Sequence, residues 1–155
     1  MQRQLDSRFA EVERYIARVC AHGIPEELQS YLYRLGAIMI CGNVERSIEI
    51  IVLDRLDRRA HPRVLNFIKS HFKRGTNYDC EAIEQLLVRF DEGWYKKFKA
   101  FYASNDDVKE GIASAYAIRN SVAHGGSQSL GNRRLQELAA VSKKLLDDIV
   151  AATQH

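Results

Sequence analysis

Arg119-Asn120-Ser121-Val122-Ala123-His124 is the stretch of this sequence whose residue types best suit chemistry on a phosphodiester. A guanidinium clamps two phosphate oxygens at once, an imidazole carries a proton near neutral pH, and an amide orients either of them. Spacing restricts how they combine. Asn120 and His124, four residues apart, share one face of a helix. Arg119 and His124 stand about 140° apart on a regular helix. Arg119 joins the pair only where the helix ends or bends, and Gly125-Gly126, directly after the histidine, supplies such a place. A plainer reading needs no chemistry: Arg119 offsets the negative end of its helix and His124 caps the free carbonyls there.

A second charged group sits in unusual company. Glu45 lies in the apolar middle of a long helical pattern, beside Asn43 and Arg46, where an unpaired carboxylate is costly. Either Glu45 or Glu49 pairs with Arg46 along a solvated stripe, or Glu45 orients Arg119 or His124 from behind. Residues 55–74 hold seven Lys and Arg against the single acid Asp57, and Trp94 to Tyr102 interleaves bases with aromatics. Such patches suit a phosphate backbone and exposed bases. The plain alternatives are solubility for the charges and a core or interface for the aromatics. His22, His61 and His71 lack metal-ligand spacing, no glycine run has the form of a nucleotide loop, and no Ser-His-Asp or Cys-His arrangement follows from spacing. The residues call for no metal and no cofactor.

These groups need a scaffold, and the chain supplies helices. At 155 residues it suits one domain, residues 1–155, with 46% hydrophobic and 28% charged residues arguing against disorder. Phe9, Val12, Ile16 and Val19 recur at helical spacing, and His22-Gly23-Ile24-Pro25 stops that first helix. A second, central helix is predicted from Glu26 to Arg59. A third starts at Pro62 and ends near Gly75, and Asp79 caps a fourth. Trp94 to Tyr102 is a short aromatic piece. Ser104 to Asp107 gives a cap and an acidic first turn for a helix reaching about Ala123, and Leu130 to Val150 makes the last helix. Nothing alternates like a strand. The predicted fold is an all-α, up-and-down helical bundle.

Cys20, Cys41 and Cys80 are odd in number and lack CxxC spacing, which points to buried thiols in a reducing compartment. Met1 to Ala10 has no apolar signal core, and the nearly uncharged run Leu35 to Val44 is about half of the ~20 residues a membrane span needs. The expected location is cytoplasmic. A net charge of +3 permits an anionic partner without demanding one.

Arg119 to His124 resembles the R-x4-6-H motif of HEPN domains, in which a polar residue, often Asn, follows the arginine. The segment from Gly36 to Ile48 is similar to the long second helix of the RiboL-PSP-HEPN branch, where a C-G-x-x-E pattern (here Cys41 to Glu45) precedes an apolar run. The basic, aromatic run Val64 to Asn77 also fits that branch, so the likeness covers most of residues 26–150. It implies an endoribonuclease, a hydrolase of toxin or host-defence kind, acting on RNA without metal. In active members two protomers share a cleft, and the ribose 2′-OH attacks the adjacent phosphate to leave a 2′,3′-cyclic phosphate and a 5′-OH. Carried over, His124 handles protons, Arg119 neutralises the phosphate and Asn120 orients one of them. The implied partners are RNA, a second copy of the chain, and an antitoxin or defence-system protein. One departure bears on the last: toxins silenced by a nucleotidyltransferase carry a tyrosine two residues after the histidine, where this chain has Gly126. The alternatives are a non-catalytic HEPN module that binds RNA or a partner protein, and a purely structural helical dimer.

Overall fold

The computed structural model describes every residue except His22, Arg58, 73–76 and His155. The chain forms α1 (Gln2–Val19), α2 (Glu26–Leu56), α3 (Pro62–Phe72), α4 (Cys80–Phe90), α5 (Glu92–Ala103), α6 (Asp106–Ala123) and α7 (Asn132–Ala152), with no strand among the described residues. The fold is all-α, as the periodicity predicts.

α2 is the axis. Its 31 residues reach about 46 Å at 1.5 Å per residue. Ala37, Ile40, Cys41, Val44, Ile48, Ile51 and Val52 are all buried, so the middle of the helix is apolar on most sides and must be covered on most sides. α1, α6 and α7 do the covering. α1 brings Leu5, Val12, Ile16 and Val19, and α7 brings Leu135, Leu138, Leu145 and Ile149 at three- and four-residue steps. Burying each such side chain contributes about 2 kcal/mol. α6 and α7 approach closely because Gly111 has no side chain: a Cβ there would stand 2.6 Å from Val141 Cγ2. One buried cluster runs from Leu5 to Ala152.

α4 and α5 form a hairpin laid against α6 and α7. Asp79 caps α4 as predicted, its carboxylate accepting from the Ala82 N–H at 2.8 Å. Asp91 ends α4 and caps α5, accepting from the Trp94 N–H at 2.9 Å.

Several expectations need correction. α2 ends at Leu56 rather than Arg59, because Asp57 turns to an extended conformation. Trp94 to Tyr102 belongs to the full helix α5. Trp94 and Phe98 are buried while Lys96, Lys97 and Lys99 face water, so the aromatic interleaving is a core face and a solvated face, not a stacking platform. Asn105 stands at the N-cap of α6 but its amide donates back to the Phe101 carbonyl (2.8 Å), and Ser104 Oγ donates to Ala100 (3.1 Å). The acidic first turn, Asp106 and Asp107, is present. The predicted end of α3 near Gly75 and the role of His22 in the first turn lie outside the described residues. Cys41 and Cys80 are buried, Cys20 is partly so, and all three are free.

α3 is the exception to the packing pattern. None of its residues is buried, and among the described helices it touches α2 alone. No helix among the described residues is long and apolar enough to cross a membrane.

Candidate active site

The motif occupies the last turn of α6 and the turn beyond it. α6 runs regularly to Ala123 and is closed by a Schellman turn. The Gly126 N–H donates to the Ser121 carbonyl (2.8 Å) and the Gly125 N–H to that of Val122 (3.1 Å). Gly125 takes φ +76°, the left-handed conformation that favours glycine. Gly126 is needed for space: a Cβ there would collide with Ser121 Oγ and stand 2.9 Å from the Ser121 carbonyl oxygen. A tyrosine at this position is incompatible with the turn as built.

This turn answers the plainer reading of the histidine. Backbone N–H groups take the carbonyls that a capping imidazole would serve. His124 is the C-cap residue, its own N–H bonded to Asn120 and Ser121. Its side chain is exposed, with no hydrogen bond or ion pair to the ring among the described residues.

Arg119 is placed differently. It leaves α6 on the side facing α2, and its side chain is 31% exposed. One guanidinium nitrogen, Nη1, donates to Asn77 Oδ1. Nη2 lies 3.7 Å from Glu45 Oε1, an ion pair without a hydrogen bond. Asn77 then reaches Asn120, its Nδ2 donating to Oδ1 at 3.4 Å. Arg119, Asn120, Glu45 and Asn77 thus form one connected group, and His124 stands beyond it at the helix end. The carboxylate that pairs with Arg46 is that of Glu49, so of the two roles open to Glu45 the geometry selects the contact with Arg119.

The electrostatics follow from burial. Removal from water pushes the Glu45 carboxyl up, and Arg119 pulls against it. Cys41, one turn earlier on the same face of α2, is pushed up to about 12 by burial and by Glu45, which leaves it an inert thiol. Arg119 retains N–H donors beyond those facing Asn77 and Glu45, enough to grip a phosphate. The exposed imidazole of His124, at the end of the same helix, is a group able to move a proton.

Asn77 escaped the sequence reading. It sits just before a helix cap, at the end of a basic run, and an isolated asparagine has no spacing signature. Its only signal was adjacency to Tyr78, a buried aromatic that fixes the segment to the core. The well-formed grooves between α1 and α7, lined by Phe9, Glu13, Lys143 and Leu146 among others, include none of the motif residues.

No curated protein and no solved structure matched the chain. A family model, RiboL-PSP-HEPN, matches residues 3–154, nearly the whole length, and HEPN domains are in general ribonucleases or RNA-binding modules. The chain therefore belongs to the RiboL-PSP-HEPN family.

Proposed function

We propose that this protein is a metal-independent endoribonuclease acting through Arg119, Asn120 and His124, with Glu45 and Asn77 holding the arginine. The observation that carries the reading is a guanidinium fixed from two sides in the last turn of a helix that an exposed histidine closes. A base removes the ribose 2′-OH proton, and the oxygen attacks the adjacent phosphorus. The bond to the 5′-oxygen breaks, and an acid returns a proton to that leaving oxygen. The products are a 2′,3′-cyclic phosphate and a 5′-OH. Arg119 offsets the negative charge that builds on the phosphate, and Asn120, through Asn77, keeps it in register. His124 is the proton carrier. An arginine, two amides, one carboxylate and an imidazole suit this proton and charge work, whereas two-metal nucleases gather several carboxylates.

One chain supplies one imidazole, while the reaction needs a base and an acid on opposite sides of phosphorus. A second copy, with the two His124 and two Arg119 around one phosphodiester, completes the set. A cytoplasmic toxin or defence role, silenced by something other than a nucleotidyltransferase, fits the glycine turn at Gly126. The His124 ring, which has no partner among the described residues, favours one competing reading, RNA binding without cleavage. Incubation of the purified protein with transfer RNA and total RNA in EDTA, followed by end-group analysis, separates the two. Cyclic-phosphate and 5′-OH ends are expected. Products with 5′-phosphates, a need for Mg²⁺, or binding without cutting would refute the assignment.

A further inference from the structure

α3 is amphipathic but turns part of its apolar content outward. Leu65, Ile68 and Phe72 are half-buried, while Phe67 is 72% exposed and Val64 is 47% exposed. Arg63 precedes Phe67 by four residues and His71 follows it by four, so the three lie along one stripe of the helix, with Arg63 and Phe67 exposed and His71 half-buried. Lone exposed apolar residues are common and mean little. Here the charge distribution adds to the observation. From Arg58 to Tyr78 the sequence has six Lys and Arg and no Asp or Glu, and the remaining residues carry a net −3 against the chain total of +3. In sequence, the excess positive charge is concentrated in the segment that contains this one unpacked helix.

The helix also leads to the site. Phe67 lies five residues before Phe72, about 7.5 Å along the axis. The Phe72 ring is 6.2 Å from that of buried Tyr78, the neighbour of Asn77, which holds Arg119. We propose that the outward face of α3 is a single-strand RNA track, with Phe67 stacking an unpaired base and Arg63 holding a flanking phosphate, so that the strand is delivered to Arg119. This rests on the ribonuclease reading and adds where the rest of the substrate lies. Stacking on an aromatic flanked by cations is the usual means of holding single strands without regard to sequence. Pairing of this face with its own copy would set like charges against each other, so RNA is the better occupant.

The probe is a 5′-fluorescein 12-mer oligoadenylate with 2′-O-methyl riboses, which blocks the attacking hydroxyl, read by anisotropy with wild type, Phe67→Ala, Phe67→Tyr, Arg63→Gln and, as a control on another exposed apolar residue, Val88→Ala. Phe67→Ala weakens binding roughly tenfold, the scale of one stacked base, and the loss fades as the oligomer is shortened. Phe67→Tyr keeps the affinity, Arg63→Gln lowers the salt slope by about one unit, and Val88→Ala behaves as wild type. Light scattering on each variant accompanies the titration. Wild-type RNA cutting with unchanged affinity in Phe67→Ala would overturn the track and leave the ribonuclease reading standing. A change of oligomeric state in Phe67→Ala would assign the face to protein instead. No binding and no cutting by wild type would remove both.

Discussion

Arg119 and His124 stand five residues apart in sequence and in unlike surroundings. The arginine is half-buried against α2, held through Asn77 and faced by Glu45, whereas the histidine is exposed at a helix end with its ring unpartnered among the described residues. The difference matches the work each would do in the proposed reaction. A charge that steadies a transition state is most useful when it is already fixed, because no reorganisation is then needed during reaction. A proton carrier must meet two different oxygens and can be positioned by the substrate or by a second chain. On the proposed reading, one end of the motif is preorganised by the fold and the other is left to be completed by what binds there.

Removing either end tests the division most strongly. His124→Ala is expected to lower the rate of RNA cleavage by about 10²–10⁴-fold, and Arg119→Ala by about 10²–10³-fold. In both cases circular dichroism and melting temperature stay near wild type. Unfolding of either variant, or wild-type cutting, would undo the assignment. Asn77→Ala leaves both chemical groups in place and loosens only the arginine, so a smaller loss of about tenfold in kcat is expected. A pH–rate profile of unchanged shape would mark it as a positioning effect. If Asn77→Ala acts at full rate, the arginine is fixed by Glu45 alone.

The same contrast explains what could be read in the sequence. The helices were legible because apolar spacing and capping residues are local: Asp79 caps α4 as its position says, and α2 is central because its middle is apolar all round. The hexapeptide was legible because arginine, asparagine and histidine at a glycine-terminated helix end form a compact pattern. Glu45 was half legible; burial said it needed a partner, but only the packing of α2 on α6 chose Arg119 over Arg46. Asn77 was not legible, since its partner lies 42 residues away and no periodicity links them. The aromatic run at α5 misled because interleaved bases and rings also arise wherever a helix buries one face.

Smaller effects sharpen the role of Arg119 as the partner that makes a buried carboxylate tolerable. Asp148 on α7 has no such partner among the described residues, and burial pushes its carboxyl to about 6. A folded-state value raised above the unfolded one stabilises the fold at acid pH and ceases to do so as pH rises through the folded value. Wild-type stability should thus decline between about pH 4 and pH 6, and Asp148→Asn should remove that decline and gain about 1 kcal/mol at pH 7 after allowance for solvent screening. Glu45 is also raised, with the same sign, but Arg119 offsets part of the shift; Glu45→Gln should flatten the curve less. Urea melts at stepped pH check both. Equal effects would show that Arg119 gives Glu45 no relief. Smallest of all is Gly42→Ala. Gly42 is exposed mid-helix, and nothing lies within 4 Å of where a Cβ would stand. Alanine should add about 0.5–1 kcal/mol in denaturant melts, and a loss instead would mean that another chain covers this face of α2.

The central claim is that one chain carries only half of the catalytic set. The direct measurement is specific activity across a dilution series, with light scattering on the same samples and RNA held in EDTA. The account predicts that cleavage per chain falls as dimer gives way to monomer, and that added RNA, which screens the two Arg119 charges from each other, shifts that fall to lower protein concentration. A protein that is monomeric at every assay concentration and cuts RNA with undiminished specific activity would contradict it.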